Sequence, residues 1–237
     1  MSIIRSWGAV GLLLFLAPWS WGASVPAPRD TRPVVLVVVA PVAYSETELK
    51  SVLSALAAKK IRCLIGSTQG GEAKGMIQGS VRVEVLLEQL RPANLDGMIL
   101  VGGSGAKMYL WFHPEVKRLV RGLNQARRPI GAVSIAPAAL VYAGVLGGRQ
   151  ASVLPAPETL KLFEQNSVGL SKTEVTVDGN LVTCSTSQGA LALAQALVRQ
   201  LPRKTRAASL NLPRAAPPAK PRPTVPLPAR RSLRPPA

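Results

Sequence analysis

The run of apolar, mostly β-branched residues at positions 33–40, PVVLVVVA, constrains the fold of this chain more than any other feature. A strand with one face in solvent alternates apolar and polar residues, whereas a strand buried on both faces is continuously apolar. An amphipathic helical pattern follows at 45–60, and a second strand pattern covers 61–65. A strand, a helix and a strand within about 32 residues predict a βαβ unit and hence a parallel sheet.

The same alternation of patterns continues to position 201. Strand patterns are followed by helical ones, and the segment TEVTVDGNLVTCS is typical of a hairpin with a turn at Asp178-Gly179. We therefore predict a single doubly wound, flavodoxin-like α/β domain, with a mostly parallel sheet and helices on both faces. The further predicted elements are an extended segment running into a short helix at 79–90, strands at 97–101 and 130–133, and helices at 113–128, 136–143, 157–166 and 189–201.

The amino-terminal segment 1–22 has the pattern of a secretory signal peptide. It carries one charge, Arg5, and an apolar run at 8–17 followed by small residues, so we expect cleavage near Gly22 or Ala23. A retained membrane anchor is the alternative, but the apolar run falls well short of the roughly 20 residues that a spanning helix needs. The sequence thus predicts export, to the periplasm in a Gram-negative source and otherwise outside the cell.

The carboxy-terminal segment 202–237 differs in composition from the rest. It contains 10 of the 21 prolines and 9 of the 29 basic residues, and none of the 12 acidic ones, which predicts a disordered basic tail. Such a tail either attracts polyanions of the cell envelope weakly or is a solvated extension without a partner. It has no aromatic residues among its charges, so we expect no specific nucleic-acid binding. The predicted organisation is a signal peptide (1–22), a linker (23–32), the α/β domain (33–201) and the tail.

The two cysteines, Cys63 and Cys184, form an even number that is compatible with a disulfide in an exported protein. The predicted sheet, however, places them several strand spacings of about 4.8 Å apart, beyond the roughly 7 Å Cα separation that a disulfide allows. We predict two separate thiols, mostly buried. No cofactor and no metal site is predicted. The lone His113, before Pro114, is a candidate helix cap, with a catalytic contribution as the alternative.

Three features meet at one rim of such a sheet, because the carboxyl ends of parallel strands form the ligand crevice. They are the turn carrying Glu46 and Glu48, the glycine turn Gly102–Gly105, and the bend at Ser134 in IGAVSIAPAAL. A sharp strand-to-helix turn is where many α/β enzymes hold a nucleophile. Backbone amides in the glycine turn and at Ile135 are candidates to receive an oxyanion or a carboxylate.

These segments resemble the ThiJ/PfpI superfamily, which has the class I glutamine amidotransferase-like fold and includes the Parkinson-associated protein deglycase and PfpI-type peptidases. The similarity covers residues 33–201. The resemblance implies a homodimer, for which helical faces and Trp111 are candidate contact surfaces. The segments that carry it are VVLVVVAP, MILVGGSGA, IGAVSIAPAALVYAGVLGGRQAS and VTVDGNLVTCSTSQGALALAQALV.

The resemblance also implies roles for individual residues. Family members carry a cysteine nucleophile where Ser134 stands, with a glutamate corresponding to Glu48 hydrogen-bonded to it. The turn at Gly102-Gly103 corresponds to the backbone amide of the oxyanion site. Many members have a histidine next to the nucleophile or in a short nearby strand, at positions that correspond here to Ile135 and Leu154.

Two interpretations of Ser134 follow. A serine is a weak nucleophile that needs a positioned base, and Glu48 alone is a poor activator, so Ser134 either fills a turn whose catalytic cysteine was lost or works as a nucleophile. Glu48 fits a capping box with Ser45 and equally a pocket lining, and the two roles are compatible. Gly102 and Gly103 have an alternative role that is purely conformational. Cys184 is a less favoured candidate for a substitute thiol.

Whether the protein is an enzyme therefore stays open at this point. We predict a catalytically degenerate domain that binds a small ligand or a partner at the inherited pocket. The first alternative is a hydrolase, amidase or glyoxalase-like enzyme that uses Ser134. The second is that the tail carries the function by binding envelope polyanions.

Overall fold

The computed structural model describes residues 32–202, and the predicted signal peptide, most of the predicted linker and nearly all of the predicted tail lie outside them. The strands are β1 (Val34–Val38), β2 (Val42–Tyr44), β3 (Arg62–Ser67), β4 (Glu72–Gly75), β5 (Ser80–Arg82), β6 (Val85–Leu86), β7 (Gly97–Leu100), β8 (Ile130–Val133), β9 (Gln150–Ala151), β10 (Gly169–Leu170), β11 (Val175–Asp178) and β12 (Leu181–Cys184). The helices are α1 (Glu46–Ala58), α2 (Gly105–Tyr109), α3 (Pro114–Gln125), α4 (Pro137–Tyr142), α5 (Pro157–Gln165) and α6 (Ala190–Gln200).

The central sheet has the order β11-β12-β8-β7-β1-β3-β6, and every neighbouring pair is parallel except β11 and β12. Its five inner strands follow the flavodoxin-like order. All five residues of β1 are buried, so both faces of the sheet at this strand are covered. Helix α1 packs against α6, and α3 packs against α4. The predicted fold class is thereby confirmed.

A small antiparallel hairpin, β4 and β5, continues into a separate sheet with β2. The sequence patterns did not predict this sheet, because its strands have only three or four residues and those of the hairpin are largely polar. The predicted hairpin before the last helix is β11 and β12, but its connecting residues are Gly179 and Asn180 rather than Asp178-Gly179. Asp178 stays in the strand, paired with Leu181, and its carboxylate accepts a hydrogen bond from the amide of Gln150.

Helix α3 ends at Gln125, earlier than the helical pattern at 113–128 predicts. Arg127 adopts a left-handed conformation with φ +52°. Its amide donates to the carbonyl of Asn124, and the amide of Arg128 donates to the carbonyl of Leu123. This is the hydrogen-bond pattern of a helix terminated by a residue in the left-handed region, a position that glycine usually occupies.

Both cysteines are free thiols, as predicted. Cys63 lies on β3 and Cys184 on β12, and three strands separate them in the sheet. Within residues 32–202, no three metal-ligating side chains cluster. No helix in that same range combines the length and apolarity that a bilayer-crossing segment requires.

Candidate functional site

Ser134 is the bend between β8 and α4. Its φ of +57° lies in the left-handed region, which a residue with a side chain adopts only at a cost. Its amide donates to the carbonyl of Cys184 at 2.8 Å, and its own carbonyl accepts from the amide of Leu154 at 2.9 Å. The backbone of Ser134 is thereby held between the end of β12 and the segment after β9, and the residue is only 8% exposed. This geometry is that of a nucleophile elbow.

Glu48 lies in the first turn of α1 and is 1% exposed. One carboxylate oxygen accepts from the amide of Gly102 at 2.7 Å, and the other accepts from the hydroxyl of Ser187 at 2.7 Å. Burial raises the pKa of Glu48, and the hydrogen bonds from Ser187 and Gly102 oppose that rise without cancelling it. The neutral acid is thus favoured more than in water.

The cap of α1 involves Ser45 together with Glu48 and Gly102. The hydroxyl of Ser45 accepts from the amide of Glu48 at 3.4 Å, which is one half of the predicted capping box. The amide of Ser45 donates to the carbonyl of Gly102 at 3.1 Å, so the reciprocal bond to Glu48 is replaced. The carboxylate of Glu48 therefore takes no part in the cap and accepts hydrogen bonds from Gly102 and Ser187 instead.

The glycine turn brings Glu48 and Ser134 together. A Cβ atom at Gly102 would lie 2.9 Å from Oε2 of Glu48 and 3.1 Å from Cβ of Ser134. Gly103 has φ +100°, and a Cβ there would lie 2.5 Å from the amide nitrogen of Ser45. Both glycines therefore have a packing role, in addition to any role of their amides.

Two backbone amides of the rim are unpaired in the part of the chain that the structure describes. Within residues 32–202, the amides of Gly103 and Ile135 donate no hydrogen bond, whereas the neighbouring amides of Gly102 and Ser134 do. The carbonyl of Ile135 accepts from the indole Nε1 of Trp111 at 3.0 Å. This bond fixes the peptide that follows the elbow.

An aromatic group, formed by Trp111, Phe112 and Tyr142, flanks the elbow. Trp111 is 2% exposed, so its ring is not offered to a partner chain as the sequence suggested. Phe112 is 54% exposed, and its ring centroid lies 4.2 Å from that of Tyr142. Lys107 lies 5.8 Å from the ring centroid of Trp111 and forms an ion pair with Glu158. Phe112 is therefore the most exposed side chain of the aromatic group.

Other predicted residues have separate roles. Glu46 does not join the site, because its carboxylate accepts from the amides of Met76, Ile77 and Gly79 in the β4–β5 turn. His113 is the N-cap of α3, and its Nδ1 accepts from the amide of Glu115 at 3.3 Å. Leu154 lies beside Ser134, and its side chain is 39% exposed.

Cys184 is a buried thiol next to the elbow. Its Sγ donates to the carbonyl of Thr186 at 3.1 Å. Burial raises the pKa of Cys184, with a further rise from the nearby carboxylates of Glu174 and Glu48. The thiol form is therefore favoured, which argues against Cys184 as a substitute nucleophile.

The sequence analysis missed Ser187, and it assigned Trp111 to a dimer surface rather than to the elbow. Ser187 lies in the loop after β12, and this strand is parallel to β8. The rule that carboxyl ends of parallel strands share one rim would have indicated that loop. The bond from Trp111 to Ile135 had no such signal, because it depends on where the segment after α2 lies relative to the elbow.

These features define an α/β protein with a nucleophile elbow. They are a flavodoxin-like sheet, a strained strand-to-helix elbow and a buried glutamate at the adjacent helix start. Residues 33–200 match the DJ-1/PfpI family. The chain belongs to this family, which is the one that the sequence resembles.

Individual relatives support this assignment. An uncharacterized protein of Methanocaldococcus jannaschii is 30% identical over 149 residues, which are 63% of this chain and 73% of that protein. A deglycase of Pyrococcus horikoshii is 26% identical over 119 residues, which are 50% of this chain and 70% of that protein. The crystal structure of a ThiJ/PfpI domain protein from Brachyspira murdochii matches with a TM-score of 0.67 at 18% identity, over 71% of this chain and 96% of that one.

Proposed function

We propose that this DJ-1/PfpI domain is catalytically degenerate and binds a small ligand at the elbow. One observation carries the proposal: within residues 32–202, the hydroxyl of Ser134 has no hydrogen-bond partner, and so no base to activate it. Both oxygens of Glu48 are already occupied, by Gly102 and Ser187. A serine without a positioned base is a poor nucleophile.

The ligand chemistry follows from the groups that remain available. The free amides of Gly103 and Ile135 are donors for a carbonyl or carboxylate oxygen. We infer a small carbonyl compound or carboxylate as the ligand class.

Chemical labelling tests the proposal. The full chain is exposed to a fluorophosphonate and mapped by peptide mass, with Ser134→Ala as the blank. The variant Ser134→Cys is treated with iodoacetamide, and the wild type reports the background from Cys63 and Cys184. We expect no fluorophosphonate on Ser134 and fast alkylation of the introduced cysteine.

The rival is a hydrolase, amidase or glyoxalase-like enzyme that uses Ser134. The left-handed elbow and the free amides favour it, since an acyl-enzyme mechanism needs both a presented nucleophile and an oxyanion site. Fluorophosphonate confined to Ser134, and lost in Ser134→Ala, would establish this rival and overturn the degenerate domain.

The segments outside residues 32–202 give a second set of proposals. The signal-peptide pattern at 1–22 supports export to the periplasm or the medium, and the family resemblance supports a homodimer. The basic tail supports weak binding to envelope polyanions. Deletion of residues 202–237 is expected to abolish salt-dependent binding to heparin beads. Unchanged binding after the deletion would contradict the role of the tail.

A further inference from the structure

The amino edge of the sheet, at the opposite ends of the strands from the elbow, carries cations in two separate turns. Strands β3, β1, β7 and β8 are all parallel, so the turns that precede β3 and β8 lie at the same edge. The cations of these turns are Lys59, Lys60 and Arg62, before or at the start of β3, and Arg127, before β8. Charges from distant parts of the chain thus meet at one edge.

The last turn of α6 connects the two turns. Arg199 and Lys59 line one groove, which runs between α1 and α6. Gln200, the residue after Arg199, lines a cleft together with Arg127. The cations therefore share one surface, and all of them except the half-buried Arg62 are exposed. We call this surface the cationic edge, and its members are Lys59, Lys60, Arg62, Arg127 and Arg199.

The protein does not neutralise the charge of the cationic edge. None of its members forms an ion pair with another residue of the range 32–202. The carboxylates of the neighbouring turns already face other arginines: Asp96 lies 3.7 Å from Arg128, and Asp178 lies 3.9 Å from Arg149. Like charges that are gathered on one surface repel each other and attract anions.

Both ends of the described chain lie beside this edge. The amide of Arg62 donates to the carbonyl of Pro33, just before β1, at 2.9 Å. After α6, Cδ2 of Leu201 lies where a Cβ atom at Gly97, the first residue of β7, would be 3.1 Å away. The segments that precede β1 and follow α6 therefore join the domain next to the cationic edge.

The composition of these two segments suits a lipid surface. The segment 202–237 adds 9 basic residues and no acidic one, and the segment 1–22 contains an apolar run together with Trp7, Trp19 and Trp21. Basic residues close to an apolar segment attract anionic lipid headgroups, and tryptophan is enriched at the surface of a bilayer. A lipid surface is therefore favoured over a linear polyanion as the partner of the cationic edge.

We propose that the cationic edge docks the domain on a membrane surface rich in anionic phospholipid. Its charges come from three elements and spread over an edge instead of lining a closed pocket, which suits many headgroups rather than one small anion. Each lysine or arginine near an anionic surface adds to the binding, so the affinity depends on the edge as a whole. The choice of a membrane uses the segment 1–22, which the predicted export would bring to a bilayer, and it does not rest on the proposed ligand of the elbow.

Flotation of the full chain with lipid vesicles tests the proposal. Vesicles of phosphatidylglycerol and phosphatidylcholine in equal parts present an anionic surface, and pure phosphatidylcholine measures any binding by the apolar segment alone. We expect the anionic vesicles to bind the chain more tightly by about tenfold or more, with a loss of binding as salt is added. Equal binding to the two kinds of vesicle, or binding to neither, overturns the proposal.

Two triple variants of the full chain separate the cationic edge from the overall charge, since both lose the same charge and keep the tail. The edge variant carries Lys59→Gln, Arg127→Gln and Arg199→Gln. The control variant changes exposed cations that lie away from the edge and form no ion pair within the described range, and it carries Lys50→Gln, Arg82→Gln and Lys172→Gln. Exposed substitutions of this kind have little effect on folding.

We expect the edge variant to bind anionic vesicles more weakly by about tenfold or more, and the control variant to lose about twofold or less. Equal losses in the two variants overturn the proposal, because overall charge then explains the binding. Heparin beads distinguish a lipid surface from a linear polyanion, and we expect the edge variant to keep its heparin binding because its flexible tail is intact. A loss of heparin binding as large as the loss of vesicle binding overturns the assignment to lipid.

Discussion

The hydroxyl of Ser187 donates a 2.7 Å hydrogen bond to Glu48, across 139 residues of sequence. The bond ties the start of α1 to the loop that follows β12, and it helps to hold a carboxyl group that is almost fully buried. The elbow residue Ser134 and the glycine turn meet at the same place. The buried acid is therefore both a structural link and a titratable group beside the elbow.

The buried acid makes stability depend on pH. Burial raises the pKa of Glu48 in the folded state, so its contribution is fully present below the unfolded pKa and is lost as pH rises through the folded pKa. In Glu48→Gln we expect the fall in Tm between the unfolded and the folded pKa of Glu48 to disappear, and Tm at pH 8 to rise by about 2–4 °C. Scanning calorimetry across pH measures both effects. The exposed control Glu88→Gln should keep the wild-type profile, and an unchanged profile in Glu48→Gln would contradict the role of burial.

The left-handed backbone of Ser134 predicts a gain from glycine. At φ +57° a side chain is disfavoured, so Ser134→Gly is expected to exceed Ser134→Ala in stability by about 1 kcal/mol. Alanine is the matched control, since it removes the hydroxyl and keeps Cβ. Urea denaturation compares the two variants, and a less stable glycine variant would show that the elbow is not strained.

Gly103 is predicted to tolerate no side chain. A Cβ would lie 2.5 Å from the amide nitrogen of Ser45 and 2.6 Å from the carbonyl of Ala43, at φ +100°. We expect Gly103→Ala to lower the free energy of unfolding by about 2–5 kcal/mol. At Gly147 a Cβ would lie 3.6 Å from its nearest neighbour, so Gly147→Ala is the control and should be nearly neutral. Equal effects of the two substitutions would argue against the clash.

Glu46 is predicted to fasten the β4–β5 turn. Desolvation would raise its pKa, but hydrogen bonds from backbone amides, among them those of Ile77 and Gly79, lower it overall. The stabilisation of this turn by Glu46 is therefore present above the unfolded pKa of Glu46, and it is lost as pH falls through the folded pKa. In Glu46→Gln, hydrogen exchange of the Ile77 and Gly79 amides should accelerate several-fold. The control is Glu72→Gln, which removes the exposed ion pair with Lys74. In this control, the amides of Ile77 and Gly79 should exchange at the wild-type rate.

Much of the fold was predictable because the core elements carry strong local patterns. The apolar run of β1 could be satisfied only by burial on both faces, and Ile130–Val133 forms β8 as its pattern predicted. The hairpin of β4 and β5 was not predictable, because its short polar strands are stabilised by the distant carboxylate of Glu46 and by pairing with β2. The helical pattern also did not predict the early end of α3, because an arginine at position 127 gives no sequence signal for a left-handed backbone.

The sequence by itself determined that the chain forms a parallel α/β sheet with Glu48, the glycine turn and Ser134 at one rim, because hydrophobic periodicity and chain order fix which strand ends share an edge. Only the tertiary structure decided how these groups are connected. Ser187 and Gly102 occupy the carboxylate of Glu48, and Trp111 holds the peptide after the elbow, through contacts between residues distant in sequence. Such contacts require that side chains and backbone be positioned to within a few tenths of an ångström, and a residue pattern does not encode positions to that precision.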